Sequence, residues 1–449
     1  MLNICSGRGF NLSDSAYSLL LSFWIIECKL PWGSLKCIIQ SCFSNTQDTE
    51  ISRLARLHGT KKLKKSPEII TSLSKLESYM SISQRFFEIM TIELIMTNSK
   101  RVNYIDGLRG VAIINVVLFH AFSRWTSIEP FEQSSFFTKI FQTSWLGVEL
   151  FFIISGYVIF LTVRGKTLNK FISSRWLRLA PAMIVSSLII YLTAFLFPDR
   201  PAGPANLIDL LPSLTFIEPG ILDNFISAQI NLLDGALWSI FVEIKFYAWA
   251  GVAYFFLKDK QLYSVSFCFF AYLILEIVLK FHNSLFVDAL NWFFSIMSFK
   301  YFGWFAIGIS TLNYFEKRKR TDLLLIIILA ITNYLLVANN NYSMELTISV
   351  LVLFTLWFLP KYFVSFASIL ESKILLFFGF ISYPLYLLHQ NIVTGMAIKF
   401  YYLGIRVPVI LLPLIPIVIV VLISYFIARS EPGLKGVLKR FLVSLRLTK

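Results

Sequence analysis

The stretch Asp106-Gly-Leu-Arg109-Gly-Val-Ala-Ile-Ile-Asn-Val-Val-Leu-Phe-His120 places two ionisable side chains in one run of mostly apolar residues. At about 1.5 Å of rise per residue, an α-helix separates Arg109 from His120 by roughly 16 Å along its axis. That is about half of the hydrocarbon thickness of a bilayer, so we predict a membrane helix with a charge at one face and a proton-transfer group near mid-depth. Because ionisable side chains are costly inside a membrane, both are candidate functional residues.

The composition extends this interpretation to most of the 449-residue chain. Hydrophobic residues make up 56% of the sequence and aromatic residues 16%, which excludes an ordinary soluble domain. The net charge of +15 is explained by basic loops on one side of a membrane, and without a zinc-finger, Walker or dinucleotide motif we predict no nucleic-acid partner. Four of the five cysteines lie in the first 42 residues without C-x-x-C spacing, so we predict neither a metal site nor a disulfide framework.

Hydropathy predicts an all-α fold, a polytopic membrane helix bundle of about ten transmembrane helices. The spans run near 108–126, 144–163, 178–197, 236–257, 262–280, 289–314, 322–338, 345–365, 374–395 and 408–428. If the bundle starts in the cytoplasm, 22 lysines and arginines lie on its inner side and six in its outer loops, so both ends of the bundle are predicted to be cytoplasmic. The longest outer loop, about 198–235, is long enough to cover a site.

The sequence divides near Met96. Residues 1–95 contain most of the cysteines and a basic run, Lys61-Lys-Leu-Lys-Lys65. Either translation begins at or near Met96, or residues 1–95 form a genuine cytoplasmic extension. We therefore predict an N-terminal extension, disordered or mis-started, over 1–95, a membrane domain over 96–430 and a short basic cytoplasmic tail over 431–449. About 20 residues, many of them basic, follow the last predicted span, and we expect no further domain after it.

Helix direction places four ionisable groups in the outer half of the membrane. They are His120, Glu149, Glu243 and His389. A carboxylate beside an imidazole fixes its tautomer and stabilises the charge after proton uptake, and such a histidine is a competent general base for a sugar hydroxyl. Glu149 or Glu243 alone is explained equally well by a hydrogen bond between helices, and His389 alone is better explained by packing. The shared depth of all four groups indicates function.

Three arginines lie at the opposite, cytoplasmic end of the predicted spans. Arg175 and Arg178 are three residues apart and share one helix face, and we predict that they open a helix with Pro181 in its first turns. Together with Arg109 they indicate a phosphorylated ligand on the cytoplasmic side, because arginines at a helix N-terminus suit phosphate. The plainer explanation of Arg175 and Arg178 is that they are positive-inside anchors.

Five motifs, in order, resemble those of the acyltransferase 3 family, integral membrane O-acyltransferases such as O-antigen acetylases. The matching stretches are 104–120, which contains the pattern Arg-x10-His, then 147–157, 175–181, 237–247 and 381–389. The resemblance covers about residues 100–430. Tyr157 replaces phenylalanine in the family's Ser-Gly-Phe motif, and Glu149 stands where aspartate is frequent.

The resemblance implies transfer of an acyl group, most simply acetyl, from cytoplasmic acyl-CoA to a hydroxyl of an extracytoplasmic or cell-surface glycan. His120 would be the catalytic base with Glu149 beside it, and Arg109, Arg175 and Arg178 would contact the CoA phosphates. The other candidate donor-binding and substrate-binding residues are Ser155, Gly156, Tyr157, Trp238, Ser239, Glu243, Tyr247, Tyr386 and His389. The implied partners are acyl-CoA as co-substrate, with no permanently bound cofactor, a glycan or glycolipid acceptor, and the lipid bilayer of the inner or plasma membrane.

Two alternatives remain open. Direct transfer of the acyl group from CoA to the acceptor requires a channel lined by Ser155, Trp238, Ser239, Tyr247 and Tyr386. An acyl-enzyme relay would instead use Ser155 or Ser239 as nucleophile.

A different function is also open. A multi-span transporter or flippase of a glycan or lipid intermediate would also contain buried ionisable groups. A transporter would predict inverted repeats, but Arg-x10-His occurs once in this sequence.

Overall fold

The computed structural model describes residues 103–444, apart from 126–135, 227, 258–260, 283, 341, 406–407 and 409–410. Every regular element within these ranges is a helix, so the predicted all-α fold is confirmed. The predictions for residues 1–95 and for the last residues of the tail lie outside the described ranges.

Fifteen α-helices are present among the described residues, joined by short 3-10 turns. They are α1 Asn103–Phe122, α2 Phe136–Phe141, α3 Gly147–Val163, α4 Leu168–Ala194, α5 Leu211–Thr215, α6 Pro219–Leu222, α7 Trp238–Leu257, α8 Gln261–Val278, α9 Leu285–Met297, α10 Phe302–Lys317, α11 Arg320–Ala338, α12 Met344–Phe358, α13 Val364–Leu370, α14 Lys373–Tyr402 and α15 Leu414–Ser444.

The number of spans agrees with the predicted bundle. In the described ranges seven helices are long and apolar enough to cross a membrane, or nine if two bent pairs each form one span. The bends are 59° between α9 and the segment that contains α10, and 58° between α13 and α14. The remaining predicted span corresponds to α8, whose apolar part, Tyr263–Val278, is shorter. The protein is therefore an integral membrane protein with a helical bundle.

Glycine allows α1 and α14 to pack backbone against backbone. A Cβ atom on Gly379 would lie only 2.0 Å from the backbone oxygen of Asp106. Small residues permit this close approach between membrane helices, where dispersion contacts and hydrogen bonds drive association. The close approach brings His389 of α14 against His120 of α1.

Helix α3 occupies the centre of the bundle and contacts α1, α7 and α10. A second close approach joins it to α10, since a Cβ atom on Gly308 would lie 2.0 Å from the backbone oxygen of Ile153. Helix α4 packs against α7, α14 and α15. The residues predicted to carry the chemistry lie on α1, α3, α4, α7 and α14, so these contacts gather them.

Two helix boundaries differ from the sequence prediction. Helix α4 begins at Leu168, capped by the Thr167 hydroxyl, so the prediction that Arg175 and Arg178 open a helix is wrong. Pro181 accordingly lies well inside the helix. The start was missed because polar residues in the first turns of α4 lower the local hydropathy. Helix α1 ends at Phe122, which places His120 in its last turn, where a cation is favoured by the helix dipole.

Candidate active site

Two histidines from opposite ends of the sequence meet at the α1–α14 contact. The Nε2 atom of His389 lies 3.1 Å from Nδ1 of His120, and the two rings are nearly perpendicular, with centroids 4.7 Å apart. The Nδ1 atom of His120 also lies 2.9 Å from the backbone oxygen of Val116. The sequence predicted that both histidines share one depth, and the structure brings them into direct contact.

Tyr386 connects this pair to a hydrogen-bonded wall on α7. Its hydroxyl lies 2.7 Å from the Ser239 hydroxyl, and its ring centroid lies 5.4 Å from that of His389. The backbone oxygen of Tyr386 accepts a hydrogen bond from Nδ1 of His389 at 2.7 Å. Tyr386 therefore contacts the histidine pair through both its backbone and its side chain.

Glu243 forms the centre of a second polar cluster, between α3 and α7. Its Oε1 atom accepts hydrogen bonds from the Ser155 hydroxyl, at 2.6 Å, and from the Tyr247 hydroxyl. The guanidinium of Arg175 lies 6.0 Å from the centre of the Tyr247 ring, and its Nε and Nη1 atoms are buried without a hydrogen-bond partner. An anionic ligand could satisfy these unpaired donors.

A cavity bordered by residues of both clusters lies between them. It is lined by Arg109, Val148, Phe151, Phe152, Ile154, Ser155, Arg178, Ser239, Ile240, Glu243, Ser382, Tyr383 and Tyr386. Arg109 is paired with Asp106 at 2.8 Å, whereas Arg178 makes no hydrogen bond within the part of the chain described. The cavity therefore has a cationic wall and a hydroxyl-rich wall that meet inside the bundle.

Three of the five residues predicted to line a channel do line this cavity: Ser155, Ser239 and Tyr386. Tyr247 lies behind the wall and contacts the cavity through Glu243, to which it donates. Trp238 packs its ring on Tyr301, with centroids 4.9 Å apart, outside the lining.

Glu149 does not form the predicted carboxylate–imidazole hydrogen bond with His120 or His389. It lies in the first turn of α3, is 4% exposed, and its Oε2 atom has no hydrogen-bond partner. The imidazole of His389 lies beside His120, where the sequence predicted a carboxylate. Membrane depth alone could not show whether Glu149 or His389 lies beside His120, because it does not say which helices are adjacent in the bundle.

Two residues of the Ser155-Gly156-Tyr157 motif make packing contacts. A Cβ atom on Gly156 would lie 2.1 Å from the backbone oxygen of Phe305, so glycine is needed for the contact of α3 with α10. The Tyr157 ring packs edge-on against Trp357, with centroids 5.6 Å apart, and lies 5.7 Å from the Lys361 ammonium.

An anchor that was not predicted from the sequence ties the outer loop to α14, two residues after His389. The side chain of Asn391 donates to the backbone oxygen of Leu233 and accepts from the backbone amide of Ala202. The backbone amide of Asn391 donates to the carboxylate of Asp234. Burial raises the pKa of Asp234 to about 6, although the backbone donors of Ala236 and Asn391 oppose this rise. The run His389-Gln-Asn391 in an apolar helix was a sequence signal for this anchor.

A second missed contact tethers the same loop to the bend before α10. The Lys245 ammonium donates to Glu218 at 2.5 Å and to the Ser298 hydroxyl at 2.9 Å. Ser298 has a left-handed backbone, with φ of 58°, and lies at the end of α9. Lys245 of α7 therefore pairs with a carboxylate of the outer loop.

The gathered groups support acid–base chemistry on a ligand in a largely apolar cavity. An imidazole pair is adjacent to one end, and arginines are available to an anion at the other. Among the described residues no cluster of three or more His, Cys, Asp or Glu side chains could hold a metal ion.

Comparison with known proteins identifies the family. Residues 102–429 match the profile of the acyltransferase domain family. A Staphylococcus aureus (strain COL) protein named "Putative O-acetyltransferase SACOL0978" is 24% identical over 204 residues, which are 40% of this chain and 30% of that protein. The protein named "Peptidoglycan O-acetyltransferase OatA" of Listeria monocytogenes serovar 1/2a is 28% identical over 176 residues, 35% of this chain and 25% of that protein.

The matched region thus spans less than a third of the length of these relatives. No solved structure matches the chain. The family profile nevertheless covers most of the chain, including all five motifs and every helix that lines the cavity. The protein therefore belongs to the acyltransferase 3 family of membrane acyltransferases.

Proposed function

We propose that this protein transfers an acyl group, most simply acetyl, from acyl-CoA on the cytoplasmic side of the cell membrane to a hydroxyl of an extracytoplasmic or cell-surface glycan. The single observation that carries the proposal is the cavity. Arg109 and Arg178 form one part of its wall, while Ser239 and Tyr386 form another part, beside the two histidines.

The arginines supply the expected donor contacts. Arg178 faces the cavity without a hydrogen bond in the described ranges, and Arg175 has buried, unpaired donors. Guanidinium groups pair with phosphate oxygens through two parallel hydrogen bonds, and such charge-assisted bonds are stronger than neutral ones. Acyl-CoA brings phosphates and a long thioester arm, so its head group would pair with the arginines and its acyl carbon would extend toward His120.

His120 is the proposed general base. It accepts the proton of the acceptor hydroxyl while that oxygen attacks the thioester carbonyl, and the carbon–sulfur bond then breaks. The proton passes to the departing thiolate, so the products are free CoA and an acylated hydroxyl. His120 lies in the last turn of α1, at the end that the charge distribution assigns to the outer side.

A glycan acceptor is supported by the relatives' names. The Listeria relative is named for O-acetylation of peptidoglycan, and the Staphylococcus relative for O-acetyl transfer. A hydroxyl of a sugar on the outer side is also the kind of nucleophile that an imidazole can activate. The anchored outer loop, held by Asn391, is then positioned to border the acceptor route.

An acyl-enzyme relay is the second candidate mechanism, favoured by one contact. The Ser155 hydroxyl donates to Glu243 at 2.6 Å within the cavity, the arrangement of a nucleophile beside a base. The acyl group would then move to Ser155 with release of CoA before reaching the acceptor.

Labelled acetyl-CoA supplied to membranes that contain the protein tests the proposal. Label should pass to extracted cell-surface glycan with the wild-type protein and not with the His120→Ala variant. A chain that moves an unmodified glycan across the membrane without acylating it would instead be a transporter. Omitting the acceptor separates the two mechanisms, since only the relay leaves covalent label on Ser155.

A further inference from the structure

The hydrogen bonds around the histidine pair have a defined direction. A backbone carbonyl oxygen can only accept, so Nδ1 of His389, 2.7 Å from the Tyr386 oxygen, must carry a proton. In a neutral imidazole the other nitrogen is then an acceptor. The Nε2 atom of His389 therefore accepts a hydrogen bond from Nδ1 of His120, 3.1 Å away.

This direction fixes the tautomer of His120. With its proton on Nδ1, the Nε2 atom of His120 keeps its lone pair, which is the form that a general base needs. His389 is 1% exposed and both of its ring nitrogens are engaged, so it has no free atom for a substrate. His120 is part-buried, and its Nε2 atom takes part in no hydrogen bond in the described portion of the chain.

We infer that His389 is a positioning residue for His120, and that its Nε2 atom accepts a hydrogen bond from the Nδ1–H group of His120 while His120 takes a proton at Nε2. The inference rests on the proposed function, in which His120 is the base. The backbone oxygen of Val116 shares the same proton, at 2.9 Å, but an imidazole nitrogen is a stronger base than an amide oxygen. The hydrogen bond to His389 therefore stabilises His120 most when His120 becomes charged. The carboxylate of a Ser-His-Asp triad stabilises its histidine in the same way.

Three substitutions at His389 test the inference. In His389→Gln the side-chain oxygen can reach the position of the lost Nε2 atom and accept from His120, whereas the shorter amide of His389→Asn reaches only the position of Nδ1. His389→Leu has no acceptor. We expect kcat for acyl transfer to stay within a few-fold of wild type for Gln and to fall roughly ten- to a hundredfold for Asn and Leu, as for a lost hydrogen bond to a charged group.

The KM values for acetyl-CoA should stay near wild type in all three variants, because both ring nitrogens of His389 are engaged within the protein and neither is free to bind the donor. Equal losses in Gln and Asn, or no loss in either, would overturn the inference. The comparison of His389→Gln with His389→Asn tests the positioning role even if His389→Leu does not fold.

The His120→Ala variant separates this inference from the proposed function. If His120→Ala is inactive while the Gln and Asn variants behave alike, only the positioning role fails. If His120→Ala transfers acyl groups normally, the proposed base fails, and the role of His389 fails with it.

Discussion

Tyr386 of α14 and Ser239 of α7 share a 2.7 Å hydrogen bond in the wall of the cavity. Since Tyr386 also contacts His389, the bond links α7 to the histidine pair. The Tyr386 hydroxyl therefore fixes α14 to α7 at the wall of the cavity.

Replacing Tyr386 with phenylalanine should lower acyl transfer without unfolding the protein. The ring still fills its site, and the lost hydrogen bond contributes about 0.5–1.5 kcal/mol, so we expect kcat/KM to fall about three- to tenfold. The matched control is Tyr334→Phe, which removes a 2.8 Å hydroxyl bond to Thr347 away from the cavity. A loss of activity equal in both variants would assign the effect to general destabilisation.

Removing the imidazole of His120 should abolish chemistry while leaving the protein in the membrane. General base catalysis contributes about 10²–10⁴-fold, so glycan acylation by His120→Ala should fall at least about a hundredfold. Quantitative glycan mass spectrometry, with immunoblotting of membrane fractions, measures both properties. His282→Ala, which changes an exposed histidine away from the cavity, should acylate normally.

Arg178→Ala should weaken donor binding. A charge-assisted contact contributes about 1.5–3 kcal/mol, and about 1.4 kcal/mol corresponds to one decade, so the KM for acetyl-CoA should rise roughly tenfold or more. Lys170→Ala removes an exposed charge from the first turn of the same helix and serves as the control. If the donor KM is unchanged and only acceptor use suffers, the CoA site lies elsewhere.

The sequence was sufficient to predict the helical bundle and the common depth of the polar groups. Runs of apolar residues define spans, and the direction of each span converts residue number into depth. His120 and His389 were placed at one depth by this reasoning alone. Their contact could not be predicted, because it depends on which helices are neighbours. The close packing of α14 on α1 at Gly379 determines that neighbour relationship.

Two local features also escaped prediction for physical reasons. The start of α4 is set by the Thr167 cap and by packing, whereas hydropathy detects only the apolar part of the helix. The anchor formed by Asn391 joins residues that are distant in sequence, and its partners are mostly backbone atoms, which carry no sequence signature.

Gly156→Ala tests whether this glycine serves packing or donor binding. The added Cβ atom would lie 2.1 Å from the backbone oxygen of Phe305, so α3 and α10 must move apart. Overpacking of this kind costs about 1–3 kcal/mol, which should lower the thermal denaturation midpoint in detergent. Gly436→Ala, where no atom lies within 4 Å, should not lower it. A normal midpoint with a raised donor KM would instead assign Gly156 to the donor site.

The anchor at Asn391 should control the outer loop and through it the acceptor. Asn391→Ala removes the hydrogen bonds to the Leu233 oxygen and from the Ala202 amide, each made in a buried or part-buried setting. Because a buried polar group left unpaired costs about 1–3 kcal/mol, the loop should open more often. We expect faster hydrogen exchange around residues 202 and 233 and a higher KM for the acceptor, with the KM for acetyl-CoA unchanged. Asn224→Ala is the control, since within the described residues its side chain donates to the Gly220 oxygen of the same loop and not to α14. Unchanged exchange in Asn391→Ala would mean that other contacts, such as the Glu218–Lys245 ion pair, hold the loop by themselves.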